Sequence, residues 1–156
     1  MKLKHKKQDL FKVNPNNVVF AHCIAKDLKY GAGIAKEFAK QHPSMRADLR
    51  NKYPDLGDAV KHTSNYRTIY NLITKEISTR KPTGYYYLIR ALDNLKKQMV
   101  ENEEKYLVIP LIGAGLDRLD WDKIQEIIIK TFKDTEIKIL VCHLNRVSSD
   151  YKDFEN

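Results

Sequence analysis

Val18-Val19-Phe20-Ala21-His22-Cys23-Ile24 reads as a buried strand from its β-branched and aromatic content, and Gly31-Ala32-Gly33 follows it to open the run Gly33 to Gln41. Within that run Ile34, Ala35, Phe38 and Ala39 recur at helical spacing, so strand, glycine loop and helix form one unit. The unit recurs. Tyr106-Leu107-Val108-Ile109-Pro110-Leu111-Ile112 is a second buried strand, running into Gly113-Ala114-Gly115 ahead of a helix from Asp122 to Phe132 capped by Asp120. Glycine lets backbone N–H groups approach an oxyanion with no Cβ in the way, and a helix N-terminus adds partial positive charge. Two such loops point to a ligand carrying two phosphates. Neither completes the dinucleotide fingerprint, because Lys36 and Arg118 hold the place of its third glycine, and neither is a P-loop, because no Gly-Lys-Ser/Thr follows.

The remaining segments continue the alternation. A second short helix is predicted from Pro43 to Asn51, and two strands, Asp58 to Ser64 and Arg67 to Thr74, join across Asn65 with Lys75 just at the end of the second. Leu88, Leu92, Leu95 and Met99 space a helix from Tyr85 to Glu101, a last strand runs from Ile137 to Leu144, and residues 145 to 156 are a polar tail expected to fray. Such alternation predicts an α/β fold with helices on both faces of a mixed, mostly parallel sheet, where ligands bind at the carboxyl ends of strands. Both glycine loops and Lys75 fall at such ends.

The 156 residues suffice for one domain, and 42% apolar with 31% charged residues is a globular balance with no apolar stretch long enough to span a bilayer. The basic start, Met1 to Lys7, has no hydrophobic region after it, so the expected location is the cytosol, as a monomer without membrane contact. Cys23 and Cys142 sit in apolar runs and are expected to be buried thiols, with no metal-ligand spacing. A formal charge of +8 favours anionic partners by electrostatic steering, and lysines scattered along the chain leave open whether the anion is a nucleotide or a nucleic acid.

Taken in order, Ala21-His22-Cys23-Ile24-Ala25-Lys26-Asp27 ahead of Gly31-Ala32-Gly33-Ile34-Ala35, then Tyr70-Asn71-Leu72-Ile73-Thr74-Lys75, then Pro110-Leu111-Ile112-Gly113-Ala114-Gly115-Leu116-Asp117-Arg118-Leu119, closely resemble a macro domain. The branch resembled is the terminal ADP-ribose protein glycohydrolase type, related to DNA ADP-ribosyl glycohydrolase antitoxins and ADP-ribose-1″-phosphate phosphatase-type domains. The resemblance runs from about Gln8 to Leu144. It implies a three-layer α/β/α fold spanning residues 1 to 144, with ADP-ribose in a crevice across the strand ends. Gly31, Ala32, Gly33 and Ile34, with Gly113, Ala114, Gly115 and Leu116, match the loops that clasp the diphosphate and distal ribose. Asp9 matches the acidic residue that meets the adenine amino group, with the Leu10 backbone beside it, and Gln8 stands where relatives usually have glycine.

The resemblance assigns Lys75 as catalytic lysine and Asp117 as catalytic aspartate. An unprotonated amine can attack the anomeric C1″ of an ADP-ribosyl ester or glycoside and displace the carboxylate or base, and desolvation at the end of an apolar strand favours that state. A carboxylate opposite can move protons through ring opening and hydrolytic release. No cofactor or metal is required. His22 and Cys23 are adjacent on a strand and face opposite sides, so they cannot act as a nucleophile pair. One is core and the other lines the crevice; His22 counts among the ADP-ribose-binding residues. Lys81-Pro82-Thr83-Gly84-Tyr85-Tyr86 departs from the branch by an insertion and a missing Glu, and Tyr85, Tyr86 and Tyr87 read as local packing at a helix start. The implied activity is hydrolytic removal of ADP-ribose from acidic side chains, with ADP-ribosylated nucleic acid, ADP-ribose-1″-phosphate or non-catalytic reading as alternatives.

Overall fold

Along the central strands, alternate side chains enter two separate cores. Phe20, Ile24, Ile69, Ile73 and Val108 join one cluster, whereas Val19, Ala21, Tyr70, Leu72, Leu107 and Ile109 join the other. Period-two alternation with both faces apolar requires cover on both faces of a sheet. A computed structural model, describing residues 1–114 and 117–156, supplies that cover with helices on each side.

The elements run β1 (Lys2–Lys7), β2 (Val19–Ala25), α1 (Gly33–Gln41), α2 (Met45–Asn51), β3 (Ala59–Ser64), β4 (Arg67–Lys75), α3 (Tyr86–Glu101), β5 (Tyr106–Ile109), α4 (Trp121–Phe132), β6 (Lys138–His143) and β7 (Phe154–Glu155). Phe38 of α1 and Met45 and Leu49 of α2 fill one core; Leu88, Ala91, Leu92, Leu95 and Met99 of α3, with Trp121, Ile124, Ile128 and Phe132 of α4, fill the other. The result is the expected three-layer α/β/α sandwich.

The sheet order is β3-β4-β2-β5-β6-β1-β7. From β4 to β1 every pairing is parallel, and the two outermost strands are antiparallel. The carboxyl ends of β4, β2, β5, β6 and β1 therefore lie along one edge. No described helix is long and apolar enough to cross a membrane.

Three segments depart from the sequence reading by more than two residues. The basic N-terminal residues form β1, paired with β6 from Lys2↔Lys138 to Lys7↔His143. Strand β5 ends at Ile109 instead of Ile112, because Pro110 has no N–H to extend the ladder and Ile112 N–H turns back to the Pro110 carbonyl at 2.8 Å. The polar segment 145–156 does not fray at its end: Phe154 and Glu155 pair with Leu3 and Lys2, and the His5 N–H donates to Asp153 Oδ1 at 2.8 Å.

Candidate functional site

The strand-end edge carries most of the residues singled out in the sequence. In sheet order Lys75 closes β4, the Gly31 loop follows β2, the Gly113 loop follows β5, and the Asp9 turn follows β1. With neighbouring strands ~4.8 Å apart, the four spacings from β4 to β1 stretch this row over roughly 19 Å. The glycine loops occupy the second and third of the five strand ends in this row.

The first loop leads directly into a helix. Gly33 is the first residue of α1 and has φ +57°, a conformation in which glycine carries no Cβ penalty. A Cβ on Gly31 would meet nothing within 4 Å, so its side of the loop is open. Ala32 is the N-cap residue without a capping side chain, and Ile34 packs on the α1 side core. The second loop is built differently. Gly113 has φ +70°, and its carbonyl accepts from Leu119 N–H at 2.7 Å, closing a lasso that carries Asp117. Ala114 packs against the α3 and α4 core. α4 begins only at Trp121, so this loop is not itself a helix start. Gly115 and Leu116 lie outside the described residues.

Lys75 owes its place to an irregularity. Strand β2 pairs with β4 as Ile24↔Ile73 and then Ala25↔Lys75, so Thr74 is an extra residue, and a bulge of this kind redirects the side chain that follows it. Lys75 Nζ donates to Asp117 Oδ1 at 2.6 Å, and the two side chains are only 15% and 13% exposed. Lys75 Nζ also donates to the Ser78 carbonyl at 3.3 Å. The fold thus joins two residues 42 positions apart that the sequence reading paired.

Asp9 stands at the other end of the row. Its Oδ1 accepts from Phe11 N–H at 3.0 Å, capping a 3-10 turn from Leu10 to Lys12. That bond holds one oxygen. Gln8 is not among the described residues with positive φ, so this turn accepts a side chain at that position. Gln8 N–H donates to the His143 carbonyl at 2.9 Å and its side chain to the Asp9 carbonyl at 3.1 Å. Leu10 is buried, so the backbone is what it can offer a ligand.

His22 is the core member of its pair, contrary to the expectation that it binds ligand. It is 1% exposed, packs on Phe38 with ring centroids 4.3 Å apart, and donates through Nε2 to Asn71 Oδ1 at 2.7 Å. Burial pushes its imidazole down to about 4. Cys23, on the opposite side of the strand, is partly exposed and feels both Asp117 and Lys75. Burial, and next the Asp117 charge, push its thiol up to about 12, so it lines this end of the row as a neutral group, not a nucleophile.

Further side chains shape the site without having been given a role in it from the sequence. Asp27, just past β2, accepts from Ser78 N–H at 2.7 Å, from the Ser78 hydroxyl, and from Lys29 N–H at 3.1 Å. Tyr85 accepts Asp120 N–H on its hydroxyl at 3.0 Å, fastening the start of α3 to the end of the Asp117 loop. Tyr86, by contrast, is 62% exposed. A single sequence gives an Asp near a strand end no mark that separates such a tether from an ordinary surface charge.

A largely parallel α/β/α sandwich with two glycine loops and a lysine–aspartate pair along its strand-end edge is an α/β domain whose candidate site lies across the ends of its strands. No protein-family model matches the sequence. The human ADP-ribose glycohydrolase OARD1 is 37% identical over 140 residues, covering 90% of each chain. Among solved structures, the macrodomain of Thermus aquaticus DarG superposes with a TM-score of 0.78 at 18% identity, over 90% of this chain and 97% of that one. Thermosipho africanus DarTG in complex with ADP-ribose gives a TM-score of 0.79 at 16% identity, over 95% of this chain and 43% of that one. The chain belongs to the macro-domain family, in the branch that contains the ADP-ribose glycohydrolase OARD1.

Proposed function

We propose that this protein is an ADP-ribosyl hydrolase that binds ADP-ribose along the strand-end row and releases it from modified acidic side chains, with Lys75 as nucleophile. The observation that carries the reading is the contact of Lys75 Nζ with Asp117 Oδ1 at 2.6 Å, beside both glycine loops. Relatives named as ADP-ribose glycohydrolases support hydrolysis of an ADP-ribosyl bond as the reaction class.

The Asp9 turn receives the adenine, the glycine loops take the diphosphate, and the distal ribose reaches Lys75. Asp117 is placed to take the ammonium proton, leaving a lone pair on Nζ. That pair attacks C1″, the bond from C1″ to the target carboxylate breaks, and its electrons leave with the carboxylate. Water then attacks C1″, the C1″–Nζ bond breaks with its electrons on nitrogen, Asp117 returns its proton to the departing amine, and the proton of the water passes to solvent as ADP-ribose is freed. Cys23 contributes no charge to this end.

Incubation with a glutamate-linked ADP-ribosylated peptide is expected to liberate ADP-ribose, and Lys75→Ala to abolish release while leaving ADP-ribose binding measurable by calorimetry. Undiminished release by that variant would refute the nucleophile. Binding by the unaltered chain with no turnover on protein, nucleic-acid or 1″-phosphate substrates would make it a reader. The formal charge of +8 favours ADP-ribosylated nucleic acid as a second substrate class, which turnover falling steeply with salt on nucleic acid, and not on peptide, would identify.

A further inference from the structure

The ammonium of Lys75 has two named partners, and the second belongs to a segment held from outside. Ser78 lies in the connection between β4 and α3, three residues beyond Lys75, and its carbonyl accepts from Lys75 Nζ at 3.3 Å. Nothing in regular secondary structure fixes that carbonyl, because β4 has ended. What fixes it is Asp27. The Asp27 carboxylate takes the Ser78 N–H at 2.7 Å and the Ser78 hydroxyl, and it is anchored to its own turn through Lys29 N–H at 3.1 Å. The neighbouring Lys26 N–H donates to the Lys75 carbonyl at 2.8 Å, so residues 26 and 27 grip the segment at both Lys75 and Ser78.

We propose that Asp27 is a positioning residue for the nucleophile, acting through Ser78. This rests on the reading of Lys75 above. Once Asp117 has taken a proton from Nζ, the amine keeps two N–H bonds and one lone pair and can rotate about Cε–Nζ. The Ser78 carbonyl, 3.3 Å from Nζ, accepts one of those N–H bonds, and that limits the directions the lone pair can take. The hydrogen bonds at Asp27 hold its carboxyl below the usual carboxylate range against the opposing effect of burial, so the tether is an ionised, charge-assisted one at neutral pH. Among the described residues, the Asp27 carboxylate is hydrogen-bonded to Ser78 and Lys29 and not to the glycine loops, so its effect falls on the geometry of attack.

The test compares Asp27→Ala, Asp27→Asn, Ser78→Ala and Lys75→Ala in single-turnover release from a glutamate-linked ADP-ribosyl peptide, with ADP-ribose affinity measured in parallel. A nucleophile displaced by about an ångström loses on the order of 100-fold in rate. Asp27→Ala is expected to slow the chemical step by roughly 10- to 100-fold while ADP-ribose affinity stays within about twofold. Asp27→Asn keeps one acceptor and should recover part of the rate, and Ser78→Ala, which loses the hydroxyl bond but keeps the N–H bond, should fall between. Ser78→Ala also keeps the test valid if Asp27→Ala does not fold. A wild-type rate in Asp27→Ala and Ser78→Ala with an inactive Lys75→Ala overturns the positioning role alone, as does a parallel loss of rate and affinity. Activity surviving in Lys75→Ala overturns the nucleophile reading and this role with it.

Discussion

The two glycine loops make opposite demands on a single carbon. At Gly113 the backbone sits at φ +70°, and an added Cβ would lie 3.0 Å from Ile124 Cδ1 and 3.2 Å from Leu119 Cδ1. Both the left-handed conformation and the packing of α4 beneath it exclude a side chain. Gly113→Ala is expected to cost about 1–3 kcal/mol in urea unfolding, because strain and overpacking add. At Gly31 a Cβ would meet nothing within 4 Å, so Gly31→Ala should leave stability within about 0.5 kcal/mol yet weaken ADP-ribose binding, since the open side of this loop is where a phosphate would lie. Equal unfolding costs at the two positions would contradict this division.

At the scale of elements, legibility followed from how local the signal is. Helix α1 was readable from Gly33 to Gln41 because its apolar spacing and opening glycine lie inside the segment, and α4 because Asp120 caps it, accepting Asp122 N–H at 3.0 Å. Asp120→Ala should cost about 1 kcal/mol and lower the melting temperature by a few degrees, checked by thermal unfolding; an unchanged midpoint would show that Tyr85, which holds the same residue's N–H, suffices. Strand β1 was unreadable for the complementary reason. Four of its six residues are lysines, only Leu3 is buried, and its partner β6 lies at the far end of the chain. Lys75 and Asp117 were found through an ordered set of motifs, since neither residue type marks itself. The Thr74 bulge, the Asp27 tether and the burial of His22 depend on register and on contacts between distant segments, which one sequence does not display.

Across the whole molecule, the α1 side of the sheet buries imidazoles as neutral groups, and this gives stability a pH dependence of definite sign. His22 lies between Phe38, Tyr30 and Asn71; His42 packs on Phe38, pairs its Nδ1 with the Ser64 hydroxyl at 2.8 Å, and faces Arg67 and His62. Burial is the main cause that lowers both from 6.5 to about 4. His143, buried against His5 on the other face, shifts in the same direction. Between those values the unfolded chain binds protons that the folded one refuses, so unfolding free energy rises with pH across this window. Stability is full above pH 6.5 and falls as the pH drops toward 4, where the folded imidazoles protonate as well. Asp48, held low first by its bond to His62, adds a loss only at still lower pH, because a depressed carboxylate contributes above its unfolded value of 3.8. Denaturant unfolding at a series of pH values from 7 to 4 should therefore lose on the order of a few kcal/mol, spread across the window from about 6.5 down to about 4. His22→Gln, which keeps a donor for Asn71 Oδ1 without a titrating ring, should flatten that slope by roughly half. A flat profile in the unaltered protein, or an unchanged slope in the variant, would mean that these rings are charged in the fold and that the α1 core is wetter than its packing implies.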